Sequence, residues 1–291
     1  MSTAHGSYYL PNPSPWPIIV SVGLFFLALG TVLTINSLGA GPWLMLLGAA
    51  TVVYIITRWF GQVIGESEGG IYNEQVDRSF RWGMAWFIFS EVMFFAAFFG
   101  ALFYMRQFSV PWIGDTELLW PGFDAAWPTA GPEGPTAVTP DTIAGANQFS
   151  PMGAWGIPAI NTLILLSSGA TVTWAHWGLL KDNRAQLITG LFLTIALGII
   201  FLSLQAYEYV HAYTELGLTL KTGVYGTTFF MLTGFHGFHV TLGVIMLTVI
   251  LGRSLKGHFR SDHHFGFEAV AWYWHFVDVV WLFLFILVYW L

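Results

Sequence analysis

The sequence predicts an all-α membrane protein with seven transmembrane helices. Of its 291 residues, 55% are hydrophobic and only 9% are charged, whereas soluble chains carry about 25% charged residues. Seven stretches stay apolar over the roughly 20 residues that a helix needs to cross a bilayer. Backbone groups must be paired in hydrocarbon, and these stretches are too long and too uniformly apolar for barrel strands. Each stretch therefore predicts a helix.

The composition argues against several classes of function. Ten Lys and Arg residues and a net charge of −6 disfavour a nucleic-acid-binding protein. The sequence contains no cysteine, which excludes disulfides, thiolate metal sites, iron–sulfur clusters and thiol nucleophiles. A metal in this chain would need histidine and carboxylate ligands.

The N-terminal part predicts a hairpin of two spans. No Asp, Glu, Lys or Arg precedes Arg58, and a run of helix-breaking residues from Asn36 to Pro42 interrupts this uncharged block. We place the spans at about residues 16–37 and 42–64, within a first domain of residues 1–66. The apolar stretch follows several prolines and has no basic leader, so we expect no cleaved signal peptide.

The remaining five spans predict a second domain of residues 81–291, which a cytoplasmic loop of residues 67–80 joins to the hairpin. We place the spans at about residues 81–105, 155–180, 185–208, 223–252 and 267–291. The connection 107–154 is rich in Pro and Gly and contains no Lys or Arg. We interpret it as an outer loop that either covers the bundle or attracts a cationic partner; its acidic residues are Asp115, Glu117, Asp124, Glu133 and Asp141.

The distribution of basic residues predicts the orientation in the membrane. Lys and Arg are enriched in cytoplasmic loops, and only Arg106 and Lys221 fall on the opposite side from the other eight. The N-terminus is therefore expected in the cytoplasm and the C-terminus in the periplasm. The eight residues on the cytoplasmic side are Arg58, Arg78, Arg81, Lys181, Arg184, Arg253, Lys256 and Arg260.

Glu91 is the clearest functional candidate, because a charge at membrane depth is expensive. It lies near the middle of the third span, where helical spacing surrounds it with Phe87, Phe94, Phe95 and Phe98. Burial among rings favours the neutral carboxyl. Two interpretations stay open: a proton-active or carboxyl-reactive site, or a neutral acid that donates one structural hydrogen bond.

The last two spans carry further ionisable side chains. Glu268, His275 and Asp278 share one face of the seventh helix, which we expect to point inward as a proton relay or an ion pair. His236 and His239 lie on one side of the sixth helix. Two imidazoles without a third ligand do not make a metal site, so we expect them to hydrogen-bond to neighbours.

Small residues predict close helix packing after Glu91. Ala96, Ala97, Gly100 and Ala101 follow a spacing that lets a second helix approach the third span. The residues alone also leave a transporter or a proton channel open, because buried ionisable groups favour such a protein. The lack of an internal repeat disfavours it.

Longer strings of residues resemble one protein family. The strings run from His263 to Ala269, from Trp272 to Phe283, from Ser90 to Phe95 and from Gly234 to His239. They are similar to the subunit III family of cytochrome c oxidase, a haem-copper respiratory oxidase. The resemblance covers the whole chain except residues 107–154.

The resemblance implies a fold and a role. The seven helices would form a two-plus-five arrangement with a V-shaped cleft that holds phospholipids. Haem and copper would belong to partner subunits I and II, which oxidise cytochrome c, reduce oxygen and pump protons; a small subunit IV is a further candidate partner. This chain would have no redox centre or other cofactor of its own. It would pack on subunit I, support proton uptake and stabilise the active site during turnover.

The resemblance also implies site residues. Glu91 falls on the family's buried carboxylate, whereas no catalytic or metal-binding residue is implied. Lipid-binding candidates are Arg253, Arg81, Trp59 and Glu66, although positive-inside topology explains the arginines equally well.

Departures from the family pattern and rival assignments bear on the resemblance. Residues 69–74 read Gly-Gly-Ile-Tyr-Asn-Glu where the family often has Gly-x-His-Thr-Pro, and His176 is followed by Trp177 where the family often has a second histidine. A quinol-oxidase subunit and a purely structural lipid-binding scaffold remain alternatives. The long outer loop favours the bacterial inner membrane, with the mitochondrial inner membrane as the alternative.

Overall fold

The computed structural model describes residues 13–116, 118–132 and 149–290, and these residues contain helices but no strand. Seven helices in this part of the chain are long and apolar enough to cross a membrane, which confirms the predicted fold class. They are α1 (Trp16–Ile35), α2 (Gly41–Glu68), α3 (Glu74–Tyr104), α4 (Ile157–Leu180), α5 (Arg184–Thr214), α6 (Gly223–Leu255) and α7 (Phe265–Leu284).

Several helices extend beyond the predicted spans. Helix α3 begins at Glu74 rather than residue 81, and α5 continues to Thr214 rather than residue 208. Their extra turns contain polar residues, which end an apolar run without ending the backbone hydrogen bonds of a helix. The predicted loop 67–80 therefore shrinks to the few residues between α2 and α3.

The predicted outer loop 107–154 begins as helix. A π-helical turn, Met105–Ser109, follows α3 and leads into a short helix, Val110–Gly114, so the predicted start of the loop is wrong by eight residues. Asp115 and Asp124 lie in the described part of the loop, whereas Glu117, Glu133 and Asp141 lie outside the described residues. A second π-helical turn, Phe285–Trp290, extends α7.

The chain forms two compact units, one of residues up to Phe80 and one of Arg81–Leu291. In the first unit, α1 and α2 pack together through glycines such as Gly30 and Gly48. A Cβ atom at Gly48 would lie 2.8 Å from the Cα atom of Leu27, so only glycine permits this approach. The domain boundaries, the two-plus-five arrangement and the sides of the termini stay predictions.

In the second unit, α4, α5, α6 and α7 form a closed ring of helix contacts. Leu165, Phe201 and Trp274 are fully buried in its core. The bundle's helices bring polar side chains together at membrane depth, where burial is tolerated only when such groups find partners.

Helix α3 lies against α6 and α7 through aromatic rings. The ring centroids of Phe94 and Phe235 are 5.1 Å apart, and those of Phe95 and Phe276 are 6.0 Å apart. These rings keep the backbone of α3 away from its neighbours.

The small-residue stripe of α3 takes no part in this packing. Ala96, Ala97, Gly100 and Ala101 are exposed, and a Cβ atom at Gly100 would meet no atom within 4 Å. The predicted close approach of a second helix at this stripe is therefore wrong for the described residues. The large rings of Phe94, Phe95 and Phe98 set the distance from α3 to α6 and α7 instead.

Candidate functional site

Glu91 of α3 is bonded to His239 of α6. The Oε2 atom of Glu91 lies 3.0 Å from Nε2 of His239, and both side chains are largely buried. The rings of Phe94, Phe95 and Tyr273 pack around the imidazole. The predicted aromatic surroundings of Glu91 thus enclose a carboxyl–imidazole pair that joins two helices.

The hydrogen bond made by Nδ1 of His239 determines what Nε2 can share with Glu91. Nδ1 lies 2.6 Å from the carbonyl oxygen of Phe235, and a carbonyl only accepts, so Nδ1 carries a hydrogen. Nε2 then either accepts a proton from a neutral Glu91 or donates one to an ionised Glu91. In both cases one proton lies between the two side chains, and the pair has no net charge.

His236 lies one turn before His239 but in different surroundings. It is buried, edge-on to Phe201 and stacked on Trp281. Neither of its ring nitrogens has a hydrogen-bond partner among the described residues. The expectation that both histidines bond to neighbours is right for His239 and wrong for His236, because only His239 faces α3.

His275 and Asp278 form a pair within α7 that also reaches α4. Nδ1 of His275 lies 3.7 Å from Oδ2 of Asp278, and Nε2 lies 3.2 Å from the hydroxyl oxygen of Thr173. Asp278 packs over Gly169, where any side chain would overlap its carboxylate.

The three predicted residues of α7 therefore do not act together. Asp278 is buried, whereas the side chain of His275 is 45% exposed, and a proton relay along this face stays a prediction. Glu268 has different partners: its Oε2 atom accepts from Arg81 Nε at 2.9 Å and lies 2.7 Å from Nη2. The other oxygen, Oε1, lies 3.4 Å from Nε2 of His264.

A further buried cluster surrounds Glu208, which is not among the residues predicted from the sequence. Tyr289 donates to Oε1 of Glu208 at 2.7 Å, and the amide nitrogen of Gln205 donates to the same oxygen at 3.3 Å. Glu208 is almost fully buried. Hydropathy does not indicate that Glu208 is buried, because the apolar run of α5 ends there, whereas the helix continues for six more residues.

The lipid-binding candidates fall in both units. In the first unit, Trp59 is partly buried, and Glu66 accepts from Tyr72 and Gln62, each at 2.7 Å. In the second unit, the guanidinium of Arg253 lies 4.5 Å from the ring centroid of Phe259. Arg81 binds Glu268, as described above. Lipid binding by these four residues stays a prediction.

Comparisons with known proteins agree along the whole chain. The family described as cytochrome c oxidase subunit III matches residues 5–132 and 134–291. A relative named cytochrome c oxidase subunit 3 from Phoca vitulina is 41% identical over 287 residues, covering 98% of this chain and 97% of the relative. Relatives with the same name from Dugong dugon and Marchantia polymorpha are 41% and 42% identical, covering 98% and 97% of this chain and 97% and 96% of the relatives.

Proposed function

The chain belongs to the cytochrome c oxidase subunit III family, and we propose that it is a non-catalytic accessory subunit of the oxidase. It packs on subunit I in a complex with subunit II, and a small subunit IV is a further candidate partner. The partner subunits hold the haem and copper that pass electrons from cytochrome c to oxygen. The mammalian and plant relatives favour the mitochondrial inner membrane over the bacterial membrane that the long loop suggested.

The observation that carries this proposal is the pairing of buried ionisable side chains across helices. Glu91 and His239 connect α3 to α6, and Tyr289 and Glu208 connect α7 to α5. Each bond satisfies a polar group at membrane depth and holds two helices together. Such pairs suit a subunit that steadies its partners during turnover.

The Glu91–His239 pair also supports a role in proton uptake. The pair holds one proton and has no net charge. Losing that proton, or gaining a second one, changes the charge of the bundle next to α3. We assign it the role of a proton-holding pair that supports uptake by the partner subunit. Arg253 and Arg81 supply guanidinium groups for anionic phospholipid headgroups.

Removing the chain from the purified oxidase tests the accessory role. We expect oxygen consumption to start at the same rate with and without the chain, and to decay sooner without it. Equal lifetimes would contradict the proposal. Proton or solute flux through liposomes that contain only this chain would support a transporter instead.

Two substitutions separate the proton of Glu91 from its hydrogen bond. Glu91→Gln keeps a donor for Nε2 of His239 but removes the exchangeable proton, so we expect slower proton uptake at a nearly normal lifetime. Glu91→Ala removes both and should also shorten the active lifetime about threefold, the factor that corresponds to ~0.6 kcal/mol for an interhelical bond in a membrane.

Glu215→Gln is the matched control, since the Glu215 side chain is 67% exposed and, within the described part of the chain, pairs only with His211 of its own helix. We expect wild-type uptake and lifetime for this variant. Normal proton uptake in Glu91→Gln would restrict Glu91 to a structural role.

A further inference from the structure

Three potential metal ligands meet where α4 ends and α7 begins. His176 lies one turn before the end of α4, His264 directly precedes α7, and Glu268 lies in the first turn of α7. Their nearest ligand atoms all lie within 4.8 Å of one another. From the sequence no metal is expected in this chain, because His236 and His239 lack a third ligand.

The hydrogen bonds of His264 direct a lone pair into this cluster. Its Nδ1 atom lies 3.1 Å from the carbonyl oxygen of Arg260, so Nδ1 carries the hydrogen and Nε2 presents a lone pair in the neutral ring. A backbone carbonyl bound in this way is the usual support of a metal-ligating histidine.

The neighbours of that lone pair are also electron-rich. Nε2 of His264 lies 3.4 Å from Oε1 of Glu268, an oxygen of a carboxylate whose other oxygen is held by Arg81. Nε2 of His176 is buried and has no hydrogen-bond partner among the described residues. The lone pairs of His264 and Glu268 therefore face each other next to the imidazole of His176, and a cation among the three side chains would remove that repulsion.

The separation of the ligand atoms fits zinc. Zinc binds imidazole nitrogen and carboxylate oxygen at about 2.1 Å, so the ligands of a tetrahedral site lie about 3.4 Å apart. His264 and Glu268 already have this separation, and His176 needs to approach by about 1.4 Å at most, the difference between 4.8 Å and the tetrahedral value. Two imidazoles and one carboxylate suit zinc better than calcium or magnesium, which prefer oxygen ligands.

We propose that His176, His264 and Glu268 form a zinc site of two histidines and one carboxylate, with a water molecule as the fourth ligand. The ion ties the end of α4 to the start of α7 and fixes the segment before α7. This site is independent of the accessory role, because all three side chains belong to this chain and lie close together without a partner subunit.

Zinc binding to the purified oxidase tests the proposal. The complex is stripped with a chelator and equilibrated with radioactive Zn²⁺, and bound zinc is counted for the wild type and for variants. We expect His176→Ala and His264→Ala to weaken one bound equivalent at least about 100-fold, and Glu268→Gln to weaken it about 10-fold, near the range for disturbed zinc sites.

His263→Ala is the matched control, because His263 is the exposed neighbour of His264 and should leave zinc binding unchanged. An equal loss in His263→Ala and His264→Ala would identify surface binding and overturn the proposal. No zinc binding to the wild type would also overturn it.

X-ray absorption of the zinc-loaded wild type keeps the test valid where a variant fails to assemble. Two histidine nitrogens and one carboxylate oxygen in the first shell are expected, at about 2.0–2.2 Å. A shell without histidine would overturn the assignment.

Discussion

The α1–α2 hairpin and the α4–α7 bundle hold their helices together in different ways. In the hairpin, glycines such as Gly30 and Gly48 bring the two backbones into direct contact. Its interhelical polar bonds, from Trp16 to Gln62 and from Thr34 to Met45, lie toward the helix ends. In the bundle, polar bonds such as Trp274 to Ser168 and Tyr289 to Glu208 lie deep inside.

This difference shows two solutions to one physical problem. Lipid is as apolar as the helix surface, so burying apolar side chains gives helices little reason to associate in a membrane. Close backbone contact gains dispersion energy, whereas buried polar bonds gain the energy of not leaving a donor or an acceptor alone. Variants should therefore affect the two regions through different atoms.

The largest expected effect is that of a large side chain at the hairpin contact. Gly48→Leu places a Cβ atom against the backbone of Leu27, and we expect the free energy of unfolding to fall by about 3 kcal/mol. Unfolding of the full chain by detergent titration measures the change. Gly61→Leu is the control in the same helix, because a Cβ atom there meets no atom within 4 Å; equal losses would refute the glycine-contact account.

A smaller effect is expected when one buried donor of the bundle is removed. Tyr289→Phe takes away the hydroxyl that donates to Glu208 at 2.7 Å, and we expect the free energy of unfolding to fall by about 2 kcal/mol because a buried carboxyl loses its best partner. Tyr207→Phe is the control, since Tyr207 lies on the same helix as Glu208 and is exposed. A stability equal to that of the wild type would show that the bond from Gln205 alone satisfies Glu208.

The number and type of the helices followed from the sequence because run length alone decides which segments cross a membrane. The helix ends did not follow from it. Extra turns such as the one from Tyr209 to Thr214 contain residues that end the apolar run, yet their backbone bonds continue the helix. Hydropathy reports the solvent around a segment and not its hydrogen bonds.

The candidate residues were predictable, but their partners were not. Burial cost singled out Glu91, His239 and Asp278 from sequence. The bond between Glu91 and His239 joins residues 148 positions apart, and it depends on how α3 and α6 are rotated. The same rotation gives His239 a partner while His236, three residues earlier, has none among the described residues.

The smallest expected effect is that of a single neutral hydrogen bond in the bundle. Ser168 is fully buried and accepts from the indole nitrogen of Trp274 at 3.0 Å. Ser168→Ala removes the acceptor with little change in volume, and we expect the free energy of unfolding to fall by about 0.6 kcal/mol.

The adjacent Ser167→Ala is the matched control, because Ser167 is exposed and, among residues 13–116, 118–132 and 149–290, bonds only to the carbonyl of Leu163 in its own helix. Detergent titration of both variants compares two serines that differ only in the side of α4 they occupy. If Ser167→Ala were the more damaging, polar bonds inside the bundle would not hold its helices together, and the contrast with the hairpin would fail.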